Sequence, residues 1–288
     1  MASNPPTITQ ALDTRYTVAL PGYENPRGMQ AASDLGNTTK TFLAPAFAIQ
    51  LDVSAWTAIG QNVLRDIEQG NLRPRLDQQH INAREISMAH RNEADVVRAA
   101  GIHLLHPVHQ ALDLCPTIGQ SVVVYSEMQE DKMRTDVSYH KNKNGILTPM
   151  AIIEFKRRGI LHYDKFMTGP VKRVASINAE NIPMPTEAEI DAFKKEALAA
   201  NHDEKTLFKG NARKCMKQIS AYAVGRGTKY CALFDYDALV LVRFDDYQPG
   251  MATNVGAYCS ITYIPYTNSS HLMRVALLGF LFEAWYRT

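Results

Sequence analysis

Asp136, Glu154 and Lys156 are the residues of this chain whose types and spacing point most directly to chemistry. Asp136 sits in Arg134-Thr-Asp-Val-Ser-Tyr, and the segment runs on through Lys-Asn-Lys-Asn-Gly into the apolar stretch Ala151-Ile-Ile-Glu154-Phe-Lys156. Side chains alternate along a strand, so Glu154 and Lys156 share one face while Phe155 enters the core. Two such carboxylates can bind a divalent cation through oxygen and leave room for water and a phosphate. A lysine beside them can orient an attacking water or neutralise charge growing on the phosphate. An acid and a lysine two residues apart also occur on many ordinary surface hairpins, so the tripeptide needs support from its surroundings.

The turn signal Lys-Asn-Lys-Asn-Gly makes the two acid-bearing segments antiparallel neighbours. A two-residue loop at Asn144-Gly145 would set Asp136 opposite Ile153, facing away from Glu154. A three-residue loop over Lys143-Asn144-Gly145 sets it opposite Ile152, a same-face diagonal neighbour of Glu154. A shared cation therefore requires the longer loop or one bulge. Pro149 cannot donate to a ladder, so irregular pairing is expected near the turn.

Further along, Asn211 to Ala223 has helical periodicity, with Cys215, Ile219 and Tyr222 along one stripe and Gln218 and Tyr222 stacked four apart. Tyr230-Cys-Ala-Leu-Phe and Leu239-Val-Leu-Val-Arg-Phe read as apolar strands around an Asp235-Tyr-Asp-Ala turn.

This succession resembles the PD-(D/E)xK phosphodiesterases, the restriction-endonuclease-like fold. The Gln218-x-x-x-Tyr222 helix resembles the RecB and lambda-exonuclease branch. The phrases IIEFKRRGIL, QISAYA and ALFDYDALVLVRF are similar to solitary nuclease-like proteins of filamentous fungi. The resemblance spans about residues 84–245 and implies an α/β fold with a central mixed sheet flanked by helices. It implies Mg²⁺ or Mn²⁺ held by Asp136 and Glu154, joined by a glutamate on the preceding helix. Glu93 is the choice for that residue and Glu85 its competitor. Lys156 would serve the attacking water, Gln218 would brace the metal-bound water or the lysine, and Tyr222 would pack or contact a nucleic-acid backbone. Thr135, where the pattern has proline, is a departure this branch often tolerates.

The remaining sequence supplies the frame. Residues 1–83 read as an arm and helical elaboration, 84–250 as the nuclease-like core with a helical insertion at 159–205, and 251–288 as a strand and docking helix of the same domain. Residues 1–50 begin as a loose arm with a turn at Glu24. Ser54 caps a helix ended by Gly70. A further helix spans Asn92–Leu105, and Val122–Tyr125 is a buried strand opening the sheet. Thr186-Glu-Ala-Glu189 is a capping box for a helix reaching Asn201, either peripheral or a lid beside the cleft. Ser270–Trp285 is apolar, but Arg274 and Glu283 argue against a membrane span and for a docked helix, with a homodimer contact as a lesser use.

Hydrophobic residues make up 45% of the chain and charged ones 21%, which excludes extensive disorder. Four cysteines without C-x-x-C spacing, and no apolar leader, fit a reduced intracellular protein, cytoplasmic or nuclear. A net charge of +2 excludes a grossly basic coat but not a local groove. Arg157 and Arg158, and Arg213 with Lys217 four residues on, are candidate phosphate contacts, each with a solvated basic face as its plain alternative. His103, His106 and His109 have metal-like spacing, yet Pro107 should interrupt the helix that would align them. The function expected is metal-dependent hydrolysis of nucleic acid, DNA before RNA. The alternative is an inactive nuclease-like binding or effector/toxin module.

Overall fold

The computed structural model describes residues 5–23, 31–32, 37–81, 90–130, 133–174, 184–250 and 254–288; the turn at Glu24 and the competing Glu85 lie outside them. Its strands are β1 (Phe47–Leu51), β2 (Val122–Glu130), β3 (Met133–Lys143), β4 (Ile146–Phe155), β5 (Pro170–Val174), β6 (Tyr230–Phe234), β7 (Ala238–Arg243) and β8 (Tyr258–Pro265). Its helices are α1 (Ile8–Leu12), α2 (Asn37–Lys40), α3 (Ser54–Gln69), α4 (Arg73–Asp77), α5 (Glu93–Ala100), α6 (His106–Leu114), α7 (Tyr163–Phe166), α8 (Glu187–Ala200), α9 (Gly210–Arg226) and α10 (Tyr266–Arg287), with a π-helical turn at Gly101–Leu105.

The eight strands form one mixed sheet in the order β2-β3-β4-β6-β7-β8-β1-β5. Alternation along the central strands feeds two cores. Ile153, Phe155, Ala232 and Phe234 join the apolar faces of α3, α5, α6 and α10, while Ile152, Cys231 and Leu233 pack under α9 and α7. β4 is buried on both faces from Met150 to Phe155, which explains its unbroken apolar sequence. α10 lies against α3 with backbones in contact. A Cβ on Gly279 would stand 2.0 Å from the Trp56 carbonyl oxygen, and one on Gly60 would stand 2.2 Å from that of Val275. Only glycine fits at this crossing.

Several expectations are corrected. The supposed arm contributes β1, inserted between β8 and β5, and the short helix α1, whose Ile8, Ala11 and Leu12 are buried, so these parts of it belong to the fold. Val122–Tyr125 is not a buried opening strand. It belongs to the edge strand β2, where Val124 and Tyr125 are each 38% exposed. Ser54 is the first residue of α3 and makes no cap; Asp52 Oδ1 accepts its N–H at 2.9 Å instead. Pro107 does not interrupt the helix, because the π-helical turn before it widens the coil and α6 takes the proline in its first turn. The helix after Thr186 has the expected reciprocal capping box with Glu189. It packs by Phe193 on Phe47 of β1, far from β4, so it is peripheral. No helix among the described residues is long and apolar enough to cross a membrane.

Candidate active site

The β3–β4 hairpin turns through the two residues Asn144 and Gly145, with φ of 55° and 84°, as a type I′ turn demands. Lys143 faces Ile146 and His140 faces Pro149, but Tyr139 faces Ala151. Met150 is therefore an extra residue, a bulge beside the proline that cannot donate. Of the two routes to a same-face acid pair, the protein takes the bulge. The register ending at Val137↔Ile153 sets Asp136 opposite Glu154 at the next position. Asp136 Oδ2 accepts the Phe155 N–H at 2.7 Å, which fixes its carboxylate at the strand end. Thr228 secures the bulge by donating its hydroxyl to the Met150 carbonyl at 2.6 Å.

Glu154 is 4% exposed. Its Oε1 accepts Lys156 Nζ at 2.5 Å and Gln218 Nε2 at 2.7 Å, and Gln218 Nε2 also donates to the Tyr222 hydroxyl at 2.7 Å. Its Oε2 is buried without a partner. Burial pushes the Glu154 carboxyl up to about 8, against the pull of Lys156 and with the repulsion of Asp136. Desolvation is the largest single influence on Lys156 and works to lower it, but Glu154, Cys215 and Glu93 together outweigh it and hold the ammonium above its ordinary value. Lys156 therefore stays protonated.

Glu93 opens α5 beside this pair, with its side chain exposed. Desolvation raises its carboxyl above the ordinary range, opposed by Lys156 and reinforced by Asp136. These couplings put Glu93 within electrostatic reach of both. Among the described residues, though, no three His, Cys, Asp or Glu side chains are drawn together closely enough to cage a metal. The three histidines do not converge either. His103 meets the Tyr23 hydroxyl at 2.8 Å and His109 the Tyr139 hydroxyl at 2.8 Å.

Three candidate nucleic-acid contacts prove to be framework. Arg158 binds Asp237 Oδ1 and the Tyr23 carbonyl, the latter at 2.6 Å. Lys217 is 7% exposed and paired with Glu204 at 2.8 Å. Tyr222, 5% exposed, braces Gln218. The inward turn of Lys217 and Tyr222 follows from α9 being buried over most of its circumference. Arg157 and Arg213 keep partial exposure; Arg157 reaches the Ala31 carbonyl at 3.4 Å and lies close enough to pull on Glu93.

Two acids that sequence reasoning treated only as turn formers shape the site. Asp235 Oδ2 accepts the N–H groups of Ile160 and Leu161, at 3.0 and 2.8 Å, while Oδ1 accepts those of Asp237 and Ala238, at 3.0 and 2.9 Å. Asp237 Oδ2 accepts the Gly159 N–H at 3.0 Å. The turn after β6 thus grips the chain that leaves Lys156. The paired acids of Asp-Tyr-Asp were the only signal available, and their distant partners left none.

Asp136 and Glu154 offer hard oxygen ligands on one face, one of them a buried oxygen with no partner, which fits a magnesium- or manganese-sized ion that keeps several waters. No family model, curated protein or solved structure matches the chain.

Proposed function

We propose that this protein is a divalent-metal-dependent nuclease that hydrolyses phosphodiester bonds in nucleic acid, DNA before RNA. The observation that carries this reading is the unequal use of the Glu154 carboxylate. Lys156 and Gln218 hold one oxygen, and the other is buried and unpartnered on the face shared with Asp136. A stability role alone gives no reason to bury an oxygen unsatisfied, at a cost of about 1–3 kcal/mol.

Asp136 and Glu154, with Glu93 at the mouth, would hold Mg²⁺ or Mn²⁺. When bound, the ion supplies Lewis acidity and makes hydroxide accessible near neutral pH. Lys156, kept charged, acts as a fixed donor that orients water and offsets negative charge on the phosphate, not as a base. Gln218, itself tied to Tyr222, keeps Glu154 turned so that only Oε2 is left for a ligand. Arg157 and Arg213 are the partly exposed cations left to meet flanking phosphates. In the reaction water oxygen bonds to phosphorus, the opposite P–O ester bond breaks, and the products are a phosphate monoester and a hydroxyl.

The second reading, a nuclease-like binding or effector module without turnover, is favoured by the lack of a three-ligand cage among the described residues. The experiment is cleavage of labelled single- and double-stranded DNA and RNA with Mg²⁺, Mn²⁺ or EDTA, with Glu154→Ala and Lys156→Ala alongside. Metal-dependent cutting lost in both variants supports the nuclease. No cutting of any substrate, with binding unchanged in the variants, replaces it with the module.

A further inference from the structure

The two edges of the sheet are built differently. β5, at one edge, carries Pro170, Lys172 and Arg173, with Arg173 67% exposed. Proline and projecting cations are how natural sheets prevent edge-to-edge pairing. β2, at the other edge, has no such guard over Ser121-Val-Val-Val-Tyr-Ser126: no charge, no proline and three β-branched residues in a row. The regular run ends at a bulge at Glu127, with φ of 53°, before pairing with β3 resumes at Met128.

The hydrogen-bond parity of this run specifies a partner. Asn142 N–H donates to the Ser121 carbonyl at 2.6 Å, in the register that pairs Val122 with Lys141 and Val123 with His140. In an antiparallel ladder the residues facing the partner strand alternate with residues facing out. Ser121, Val123 and Tyr125 therefore direct their backbone to β3, and Val122, Val124 and Ser126 direct theirs to solvent. These outward residues are symmetric about Val124. A second β2, running antiparallel with Val124 opposite Val124, matches every outward donor to an acceptor and closes about six backbone hydrogen bonds. The same register sets Tyr125 of each copy opposite Val123 of the other. Aromatic and β-branched residues pair well across strands, and here they do so at the closer, non-hydrogen-bonded position. No like charges meet anywhere in the overlap.

We propose that β2 is a homodimer interface, in which two copies of this chain join their sheets by antiparallel β2–β2 pairing centred on Val124. The dyad stands perpendicular to the sheet, so each face continues across it. Tyr125, opposite Ser138, lies on the Asp136 face of the strand, and both candidate sites open on the same side. The contact is short, below the roughly 1,200 Å² of a standard interface, so association on the order of micromolar follows. The inference does not depend on the nuclease reading.

The test is light scattering coupled to gel filtration on the full chain, over about a hundredfold range of concentration. The expected result is a mass that rises from 32.2 kDa towards twice that value. Val124→Pro removes an N–H that points outward, which an edge strand tolerates, and Val124→Lys sets two ammonium groups across the dyad. Both are expected to stay monomeric with a wild-type circular dichroism spectrum; should the proline variant not fold, the lysine variant decides. Val123→Pro, which removes an inward N–H, serves as the control that lowers stability. A wild-type chain that stays monomeric throughout, or a dimer that survives both Val124 changes, overturns the proposal.

Discussion

Asp136 faces Glu154 across β3 and β4 because Met150 is an extra residue in β4, and not because of the turn that joins the strands. With the Asn144-Gly145 turn and an unbroken ladder, the two carboxylates would point to opposite sides of the sheet. The bulge reverses the parity of everything beyond it, so the chemistry proposed for this face depends on a backbone irregularity four residues from Glu154.

Thr228 is the side chain that holds that irregularity. Thr228→Val keeps the shape and leaves the Met150 carbonyl without its 2.6 Å donor. We expect a loss of about 1–3 kcal/mol in chemical denaturation. A larger proportional fall in metal-dependent activity than in stability is also expected, as the register relaxes. Equal stability in the two proteins would show that the bulge needs no side-chain support.

Metal affinity should depend steeply on pH. Burial holds the Glu154 carboxyl up to about 8, and a ligand must shed its proton to bind. Mn²⁺ affinity measured by titration calorimetry should therefore strengthen about tenfold per unit as pH rises towards 8, and level off above it. Affinity already flat at pH 6 would mean that Glu154 is not the ligand.

The same group sets a slope in stability. The folded carboxyl of Glu154 is raised from an ordinary value of 4.5, so the native state holds the proton more tightly than the unfolded chain. That contribution is complete below about 4.5 and is lost as pH rises through about 8. Glu154→Gln lacks this titration. Its melting temperature relative to wild type should climb between those limits, by the equivalent of a few kcal/mol in all. A constant difference across the range would count against a proton on Glu154.

Asp235→Asn puts an amide among four backbone N–H donors that now share two carboxylate oxygens. Loss of about 2–4 kcal/mol is expected, together with faster proteolysis in the segment after Lys156. Unchanged proteolysis at 157–161 would show that Asp237 and Arg158 grip this segment without it.

Local pattern carried much of this architecture. The unbroken apolar run of β4, the Asn-Gly turn, the capping box at Thr186 and the spacing of Gln218 and Tyr222 each encode their outcome within a few residues. Their meeting at Glu154 could be expected only from the resemblance, and the structure brings Glu154, Lys156, Gln218 and Tyr222 into one hydrogen-bonded row. What stayed illegible depends on partners far along the chain. Phe47–Leu51 is too short and too evenly apolar to declare itself a strand without β8 and β5 beside it. Lys217 looks like a surface cation until Glu204 is placed next to it. Val122–Tyr125 is as apolar as an interior strand, and composition alone does not separate a strand with two neighbours from one with a single neighbour.

Between Lys156 and Gln218 the chain crosses to the far edge of the sheet, lays down β5 against β1, and only then returns as α9. The row around Glu154 is thus the closing point of a loop that runs from β4 to the far edge of the sheet and back. No fragment containing only the hairpin can hold Glu154 in its native setting, because the amide that orients it arrives 64 residues later. Closing so long a loop is slow, and the interactions it brings together are late to form in chains dominated by distant contacts. During refolding, the protein should regain most of its secondary structure well before Glu154 acquires its native surroundings. Recovery of metal binding would then time the final step of folding, and a partly folded chain would carry the hairpin without the activity.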